Sequence, residues 1–188
     1  VCPVQICQNL QVGVGGQRRR WGLAQERPPG GEWGVLNRSD EEEVLSGRSD
    51  PECLTTHQRL PEARTKDRPK LWKQRYDSIR GLEAHLTRNG THVVKFFLNV
   101  SKREQANRFL ERIEDPSKNW KFNEADLAER EHWDEYMRAY EDAVNETATP
   151  DAPWYVIPAD GKKNMRLMVA VALRAEMRKL QLAWPQFP

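Results

Sequence analysis

Residues 68–188 predict an α/β fold built on a parallel sheet, and three observations carry the prediction. Two apolar runs of strand length stand at about 92–99 and 154–159. Each is followed at once by a helix with its own start signal. Both runs are apolar throughout rather than alternating, as strands of a parallel sheet covered on both faces are.

The elements follow in order. A helix is predicted over about 69–87, with Leu71, Tyr76, Ile79, Leu82 and Leu86 apolar and Asn89-Gly90 supplying a left-handed stop. The first strand, about 92–99, feeds a helix at about 102–114 that ends before Pro116. A long helix is predicted over about 124–144, opened by Asn123, with Trp133, Tyr136, Met137 and Tyr140 on one face. The second strand, "WYVIPA" at 154–159, leads through Asp160-Gly161 into a last helix at about 162–181. That helix is apolar over more than half its circumference, as packing against a sheet requires. In βαβ geometry, ligands bind at the carboxyl ends of the strands. Ser101-Lys102 and Asp160-Gly161 sit there.

Residues 1–67 read differently. "GVGGQRRR", "RPPGGEW" and "NRSDEEEVLSGRSDPE" break every apolar run, so residues 1–31 and 46–67 are expected to be irregular. The one strand-like stretch is Trp33-Gly34-Val35-Leu36, ending at Asn37-Arg38-Ser39. "VGVGGQRRR" is not G-x-x-x-x-G-K-[ST], and no apolar strand precedes it, so it is no phosphate loop.

The chain is long enough for one core of ordinary size. Its net charge of +2 gives no overall field for nucleic acid or an anionic membrane, so any anion site is local. No stretch approaches the roughly 20 apolar residues of a membrane span, and no secretory leader pattern occurs. Cys2, Cys7 and Cys53 are odd in number and lack metal-ligand spacing, which fits a reduced, cytoplasmic setting. His57, His85, His92 and His132 form no pairing that suggests a metal. Val1 in place of Met points to a fragment or a non-standard start.

The helix at 102–114 carries the strongest functional signal. Ser101 to Glu104 spells the capping box S-x-x-E. Ala106, Phe109, Leu110 and Ile113 fall on one face, which predicts that they meet the core. Gln105, Arg108 and Arg112 fall opposite. Two arginines at i and i+4 repel by a few tenths of a kcal/mol unless something anionic relieves them. One reading is a solvated face relieved by Glu104 and Glu111. The other is a phosphate-binding face, because guanidinium forks match phosphate oxygens and the helix leaves the carboxyl edge of a sheet. "DPSKNWKF" adds Lys118, Trp120 and Lys121, as a mobile lid over a phosphoryl-transfer site would. Asp160 is expected to be an N-cap.

Four ordered segments carry a resemblance: "WKQRYDSIRGLEAHLTRNGTHVVKFFLNVSKREQ", "RFLERIEDPSKNWKF", "ADLAEREHWDEYMRAYEDAV" and "APWYVIPADGKKNMRLMVA". Residues 69–188 resemble the polyphosphate kinase 2 family. The likeness extends upstream through "GEWGVLNRSDEEEVL", where the family has a strand ending in a Walker B-like motif. The resemblance implies a three-layer parallel sheet of the P-loop kinase, thymidylate-kinase-like type. It implies phosphoryl transfer between inorganic polyphosphate and a nucleoside mono- or diphosphate, with Mg²⁺ as cofactor and in-line chemistry. By position it assigns Arg38 of the Walker B-like strand (33–39) to phosphate binding and catalysis, and Arg108 and Arg112 to a lid at about 102–122. Lys102 is added as a phosphate ligand at the strand end. Polyphosphate and nucleotide are the expected partners, with no nucleic acid and no membrane. A homo-oligomer is in keeping with the family.

The family's Walker A loop, G-x-D-x-x-G-K, does not occur in these 188 residues. After Asn37-Arg38-Ser39 the family's apolar stretch is replaced by Asp40, Glu41, Ser46, Gly47, Ser49 and Asp50, at an expected loss of about 1–3 kcal/mol of burial per position. The sequence therefore predicts a domain truncated at its amino-terminal side: 1–67 degraded or irregular, 68–188 the carboxyl-terminal part. Such a piece is expected to be inactive by itself. The rival expectation is a non-catalytic remnant that binds polyanions or pairs with an intact subunit.

Overall fold

A computed structural model describes residues 44, 45, 47, 48, 52–56 and 58–181. Two single-turn helices, α1 (Cys53–Thr56) and α2 (Glu62–Thr65), precede α3 (Arg68–Arg88). Strand β1 (Lys95–Asn99), helix α4 (Lys102–Glu114), short α5 (Ala125–Glu129), α6 (Trp133–Thr147), strand β2 (Trp154–Pro158) and helix α7 (Lys162–Lys179) follow. The two strands pair in parallel, in register from Lys95 with Trp154 to Asn99 with Pro158. The expected α/β architecture is therefore present around a small parallel sheet.

Side-chain alternation sorts the helices onto the two faces. On the Phe97 face, Tyr76 and Ile79 of α3 meet Ala139, Tyr140 and Ala143 of α6, with Trp72, Met137 and Trp154 at the edge. Phe97 stacks on Tyr140 with ring centroids 4.4 Å apart. On the other face, Phe96 stacks on Tyr155 at 5.5 Å, and the Tyr155 hydroxyl bonds Glu176 of α7. Asp67 caps α3 by accepting from the Lys70 amide, and Gly90, at φ +81°, supplies the predicted left-handed stop.

Four expectations change. The strands are not uniformly apolar: Lys95 is buried, and its Nζ donates to Glu83 Oε1 at 2.6 Å and to the Thr147 carbonyl at 2.9 Å. A buried ammonium is tolerated because it is paired.

The predicted long helix is broken by a 3₁₀ turn at Arg130–His132. No Gly or Pro marks the break. Arg130 Nη1 instead reaches back to the Lys102 carbonyl and Gln105 Oε1, each at 2.9 Å, and Tyr136 donates to Glu129 at 2.7 Å. Tertiary partners, not propensity, set the kink.

The last helix is less covered than predicted. Leu167 and Val171 are exposed, as is Val156 on β2.

The segment 46–67, predicted irregular, contributes two short helices and the fully buried Leu54. A Cβ on Gly47 would come within 2.6 Å of Leu54 Cδ2 and 3.1 Å of the Trp72 ring, so glycine suits that site rather than weakening it. Arg48 ties the segment down, donating to the Tyr76 hydroxyl at 3.1 Å and pairing with Asp142 at 2.5 Å.

Candidate phosphate-binding cleft

The carboxyl ends of β1 and β2 lie side by side, and the Ala159 amide extends the pairing to the Asn99 carbonyl at 2.8 Å. Just beyond, Ser101 and Asp160 join the two exits, with the Ser101 amide donating to Asp160 Oδ1 at 2.7 Å. Asp160 is not the N-cap expected of it for the helix that follows, since that N-cap is Gly161; it instead supports the start of α4 through the Ser101 amide. The capping box is half formed. Ser101 Oγ accepts from the Glu104 amide at 3.1 Å, while Asp160 takes the place of the Glu104 carboxylate on the Ser101 amide. These bonds from Ser101 hold the Asp160 carboxyl below the usual range, with help from the Arg108 charge.

Freed from capping, Glu104 Oε1 accepts from Arg108 Nε at 2.8 Å. Arg108 Nη2 donates to the Ala159 carbonyl at 2.8 Å and to the Asp160 carbonyl at 3.3 Å. Its Nη1 is buried without a partner. The guanidinium thus spans a helix and the end of a strand, and Arg108 lines the neighbouring space. That space is a cleft of about 620 Å³ between α4 and the start of α7, lined by Glu104, Arg108 and Glu111 on one wall and by Asp160, Lys162 and Lys163 on the other.

Helix α4 is turned relative to its predicted orientation. Gln105 is buried, and the side chains of Arg108 and Arg112 are 11 % and 19 % exposed, whereas Leu110 and Ile113 are 54 % and 48 % exposed. The polar face faces inward because each of its groups has a partner there: Arg130 for Gln105, Glu104 and the β2 carbonyls for Arg108, Asp126 for Arg112. The solvated-face reading is overturned.

The candidate residues separate in space. Arg108 lines the cleft. Arg112 lies over the Phe109 ring at 5.5 Å and faces Asp126, 3.9 Å away. Burial pushes the Asp126 carboxyl up, against the pull of Arg112. Lys102 opens α4 as an exposed side chain, and it is not part of the cleft lining. Arg38, with the Walker B-like strand, lies outside the described residues. At the far end of α4, Asn119 Nδ2 bonds the Arg112 and Ile113 carbonyls at 2.7 Å, and Trp120 stands 68 % exposed with the Lys121 ammonium 4.9 Å from its ring centre.

Reading the residues missed Lys162 and Lys163. The signal was present: two lysines directly after a buried strand and a glycine, at the strand end where ligands bind. Among the described residues, no three His, Cys, Asp or Glu side chains come together to hold a metal. Glu104, Glu111 and Asp160 are already engaged with Arg108, Lys118 and the Ser101 amide. Among the described residues, the expected Mg²⁺ finds no ligand set.

The sequence profile of the family "Polyphosphate kinase 2" matches residues 16–183. The chain is 47 % identical over 166 residues to the ADP-polyphosphate phosphotransferase of Rhodopseudomonas palustris, covering 88 % of this chain and 57 % of that protein. It is 39 % identical over 166 residues to the AMP/ADP-polyphosphate phosphotransferase of Meiothermus ruber, with the same coverage, 88 % and 57 %. The crystal structure of polyphosphate kinase 2 from Arthrobacter aurescens superposes with a TM-score of 0.77 at 39 % identity, over 89 % of this chain and 54 % of that one. The chain therefore spans little more than half the length of these relatives.

Proposed function

The chain belongs to the polyphosphate kinase 2 family, and from that premise we propose that it is the carboxyl-terminal part of a polyphosphate:nucleotide phosphotransferase of the P-loop kinase, thymidylate-kinase-like type. Residues 68–188 supply the lid, at about 102–122, and one end of the cleft. Residues 1–67 carry the Walker B-like strand at 33–39, with Arg38 as a phosphate ligand. The substrates are inorganic polyphosphate and a nucleoside mono- or diphosphate, with Mg²⁺ as the metal of the whole enzyme. A cytoplasmic setting belongs to the same reading. Among the described residues, no helix is long and apolar enough to cross a membrane.

One observation carries the reading: Arg108, held by Glu104 and two strand-end carbonyls, lines a cleft at the carboxyl ends of parallel strands. In phosphoryl transfer the protein contributes positioning and charge stabilisation, and a guanidinium fixed by its bonds to Glu104, Ala159 and Asp160 is suited to both. Arg112 and Lys102 reach the same phosphates on lid movement, with Arg112 leaving Asp126. A non-catalytic polyanion-binding role is the second reading, resting on the cations Arg108, Lys162 and Lys163 around the cleft.

The test is titration of the 188-residue chain with inorganic polyphosphate at low salt, together with an assay of phosphoryl transfer from polyphosphate to ADP. Binding is expected, weakened about tenfold in Arg108→Gln, which removes one charge-assisted contact. Turnover is expected far below the ~1–100 s⁻¹ of ordinary kinases, for want of the phosphate-cradling loop. No binding, or binding indifferent to Arg108, would overturn the reading.

A further inference from the structure

Helix α7 carries two kinds of exposed side chain on one face. Leu167 and Val171 are 64 % and 60 % exposed, and Met168 beside them is 43 % exposed. Leu167, Val171, Arg174 and Arg178 stand at i, i+4, i+7 and i+11, so the two arginines continue the apolar line. Arg166 flanks Leu167. All three arginines are exposed, and among the described residues none has an ion-pair partner. The acid of this helix, Glu176, does not serve them. It is buried on the opposite side, where it accepts from His92, Tyr155 and Lys179. The side towards the sheet thus satisfies its own charge, and the outer side is left apolar and cationic.

We propose that this outer face is a peripheral membrane contact, with α7 lying along an anionic lipid surface. Leu167, Met168 and Val171 enter the boundary between headgroups and acyl chains, and Arg166, Arg174 and Arg178 pair with lipid phosphates. The unpaired charge selects an anionic partner and the neighbouring side chains select an apolar one. An anionic bilayer offers both in a single surface. Shape favours it over a protein partner, because the apolar part is three side chains on the convex ridge of one helix, whereas a stable protein interface uses roughly 20–30 residues a side. Arginine suits the edge of such a ridge, its stem lying along apolar groups while its charge stays among the headgroups. The contact is along the surface, since among the described residues no helix is long and apolar enough to cross a membrane. The expectation of no membrane partner followed from a net charge of +2 over the whole chain, whereas the charge that matters here is local. None of these residues lines the cleft, so the proposal is independent of the polyphosphate reading.

The experiment floats the 188-residue chain with vesicles of phosphatidylcholine alone and of phosphatidylcholine mixed with phosphatidylglycerol, across a salt series. The variants are Leu167→Gln/Val171→Gln, Arg174→Gln/Arg178→Gln and, as a charge-matched control, Lys73→Gln/Arg88→Gln on α3, which packs on the other face of the sheet. All six positions are exposed, so the variants are expected to fold, and circular dichroism melts check that they do. The chain is expected to bind the anionic vesicles at low salt and to leave them as salt rises. Each arginine near such a surface is worth about fivefold, so the arginine variant should bind roughly 10–30-fold more weakly. The Leu167/Val171 variant should lose about tenfold, from apolar surface returned to water. The α3 control should stay close to the wild type. No binding to anionic vesicles, or equal binding to both lipid compositions, would overturn the proposal. An equal loss in the α3 control would also overturn it, by reducing the effect to net charge. So would full affinity in the Leu167/Val171 variant, which would leave only adsorption of cations. Sedimentation of the free protein tests the remaining occupant. Self-association that Leu167→Gln/Val171→Gln abolishes would assign the face to a second copy of the chain and overturn the membrane contact.

Discussion

Helices α4 and α7 flank the same cleft and both turn apolar side chains to solvent, but α4 still buries Phe109 where α7 buries no apolar side chain. In α4 the polar face is buried and the apolar residues Leu110 and Ile113 stand in solvent. In α7 the apolar residues Leu167, Met168 and Val171 are exposed, and the one buried side chain is an acid, Glu176. Hydropathy patterning assumes that water is the only good partner for a polar group. Here Glu104, Arg130, Asp126 and two strand carbonyls are better placed than water for α4, so its polar face turns inward. The two helices teach that a hydrophobic stripe orients a helix only where the neighbouring elements are apolar.

The largest effect that separates them is in packing. Phe109→Ala on α4 removes a side chain 9 % exposed and is expected to cost about 3 kcal/mol. Leu167→Ala on α7 removes one that is 64 % exposed and should change stability by no more than about 0.5 kcal/mol. Denaturant melts of both variants measure the difference. Equal costs would mean that α7 is covered in solution and would break the contrast.

Where neighbours could be inferred from the chain itself, the sequence was a good guide. α3, α4 and both strands fall within a few residues of their predicted bounds, because Ser101 and Asn89-Gly90 are local signals that need no partner. The parallel pairing was legible too, since a helix stands between two apolar runs. Of the two loops singled out, Asp160-Gly161 lines the candidate cleft and Ser101-Lys102 does not, and Arg108, singled out on its helix, lines it too. What could not be read depends on contacts distant in sequence. Arg130 meets Lys102 and Gln105, and this both breaks the long helix and helps turn α4. Asp160 caps Ser101, 59 residues away. Lys95, whose buried charge is satisfied by Glu83 and Thr147, could only be read as an interruption of an apolar run.

An intermediate effect belongs to Glu176, which joins three elements at the end of the sheet away from the cleft. Its carboxylate accepts from His92 Nε2 at 3.0 Å, from the Tyr155 hydroxyl and from Lys179 Nζ at 2.6 Å. Chiefly through the Lys179 and Tyr155 bonds, its pKa falls from 4.5 to about 2. A depressed folded-state value means stability that is fully present above pH 4.5 and is lost as pH falls towards 2. Glu176→Gln keeps the shape and removes the charge, at an expected cost of about 2 kcal/mol at neutral pH. The gap between wild type and variant should close as pH falls through that window. A gap that persists at low pH would show that Glu176 acts through packing alone, and the rule separating the two helices would need no charge on the α7 side.

The smallest effect lies where the helices meet. Asp160, just before α7, caps α4 through the Ser101 amide, so its loss touches both walls of the cleft. It is exposed, and replacement by Asn leaves an oxygen able to accept the same bond, so the stability change should resemble the milder cap losses, about 0.5–1 kcal/mol. Its pKa is lowered, so the contribution is present above the ordinary Asp value near 4 and lost as pH falls below it. Melting curves for Asp160→Asn and wild type should therefore differ at pH 7 and converge in acid. The more telling readout is Arg108, which is bonded to the carbonyls of Ala159 and Asp160 and depends on the same junction. If Asp160 fixes the spacing of the two strand exits, its replacement should weaken polyphosphate binding by a factor larger than its stability cost implies. Removing a negative charge from the cleft, taken alone, predicts the opposite, tighter binding of a polyanion. The sign of the change in affinity thus decides between a positioning role and simple charge, and tighter binding would leave Asp160 as a cap and nothing more.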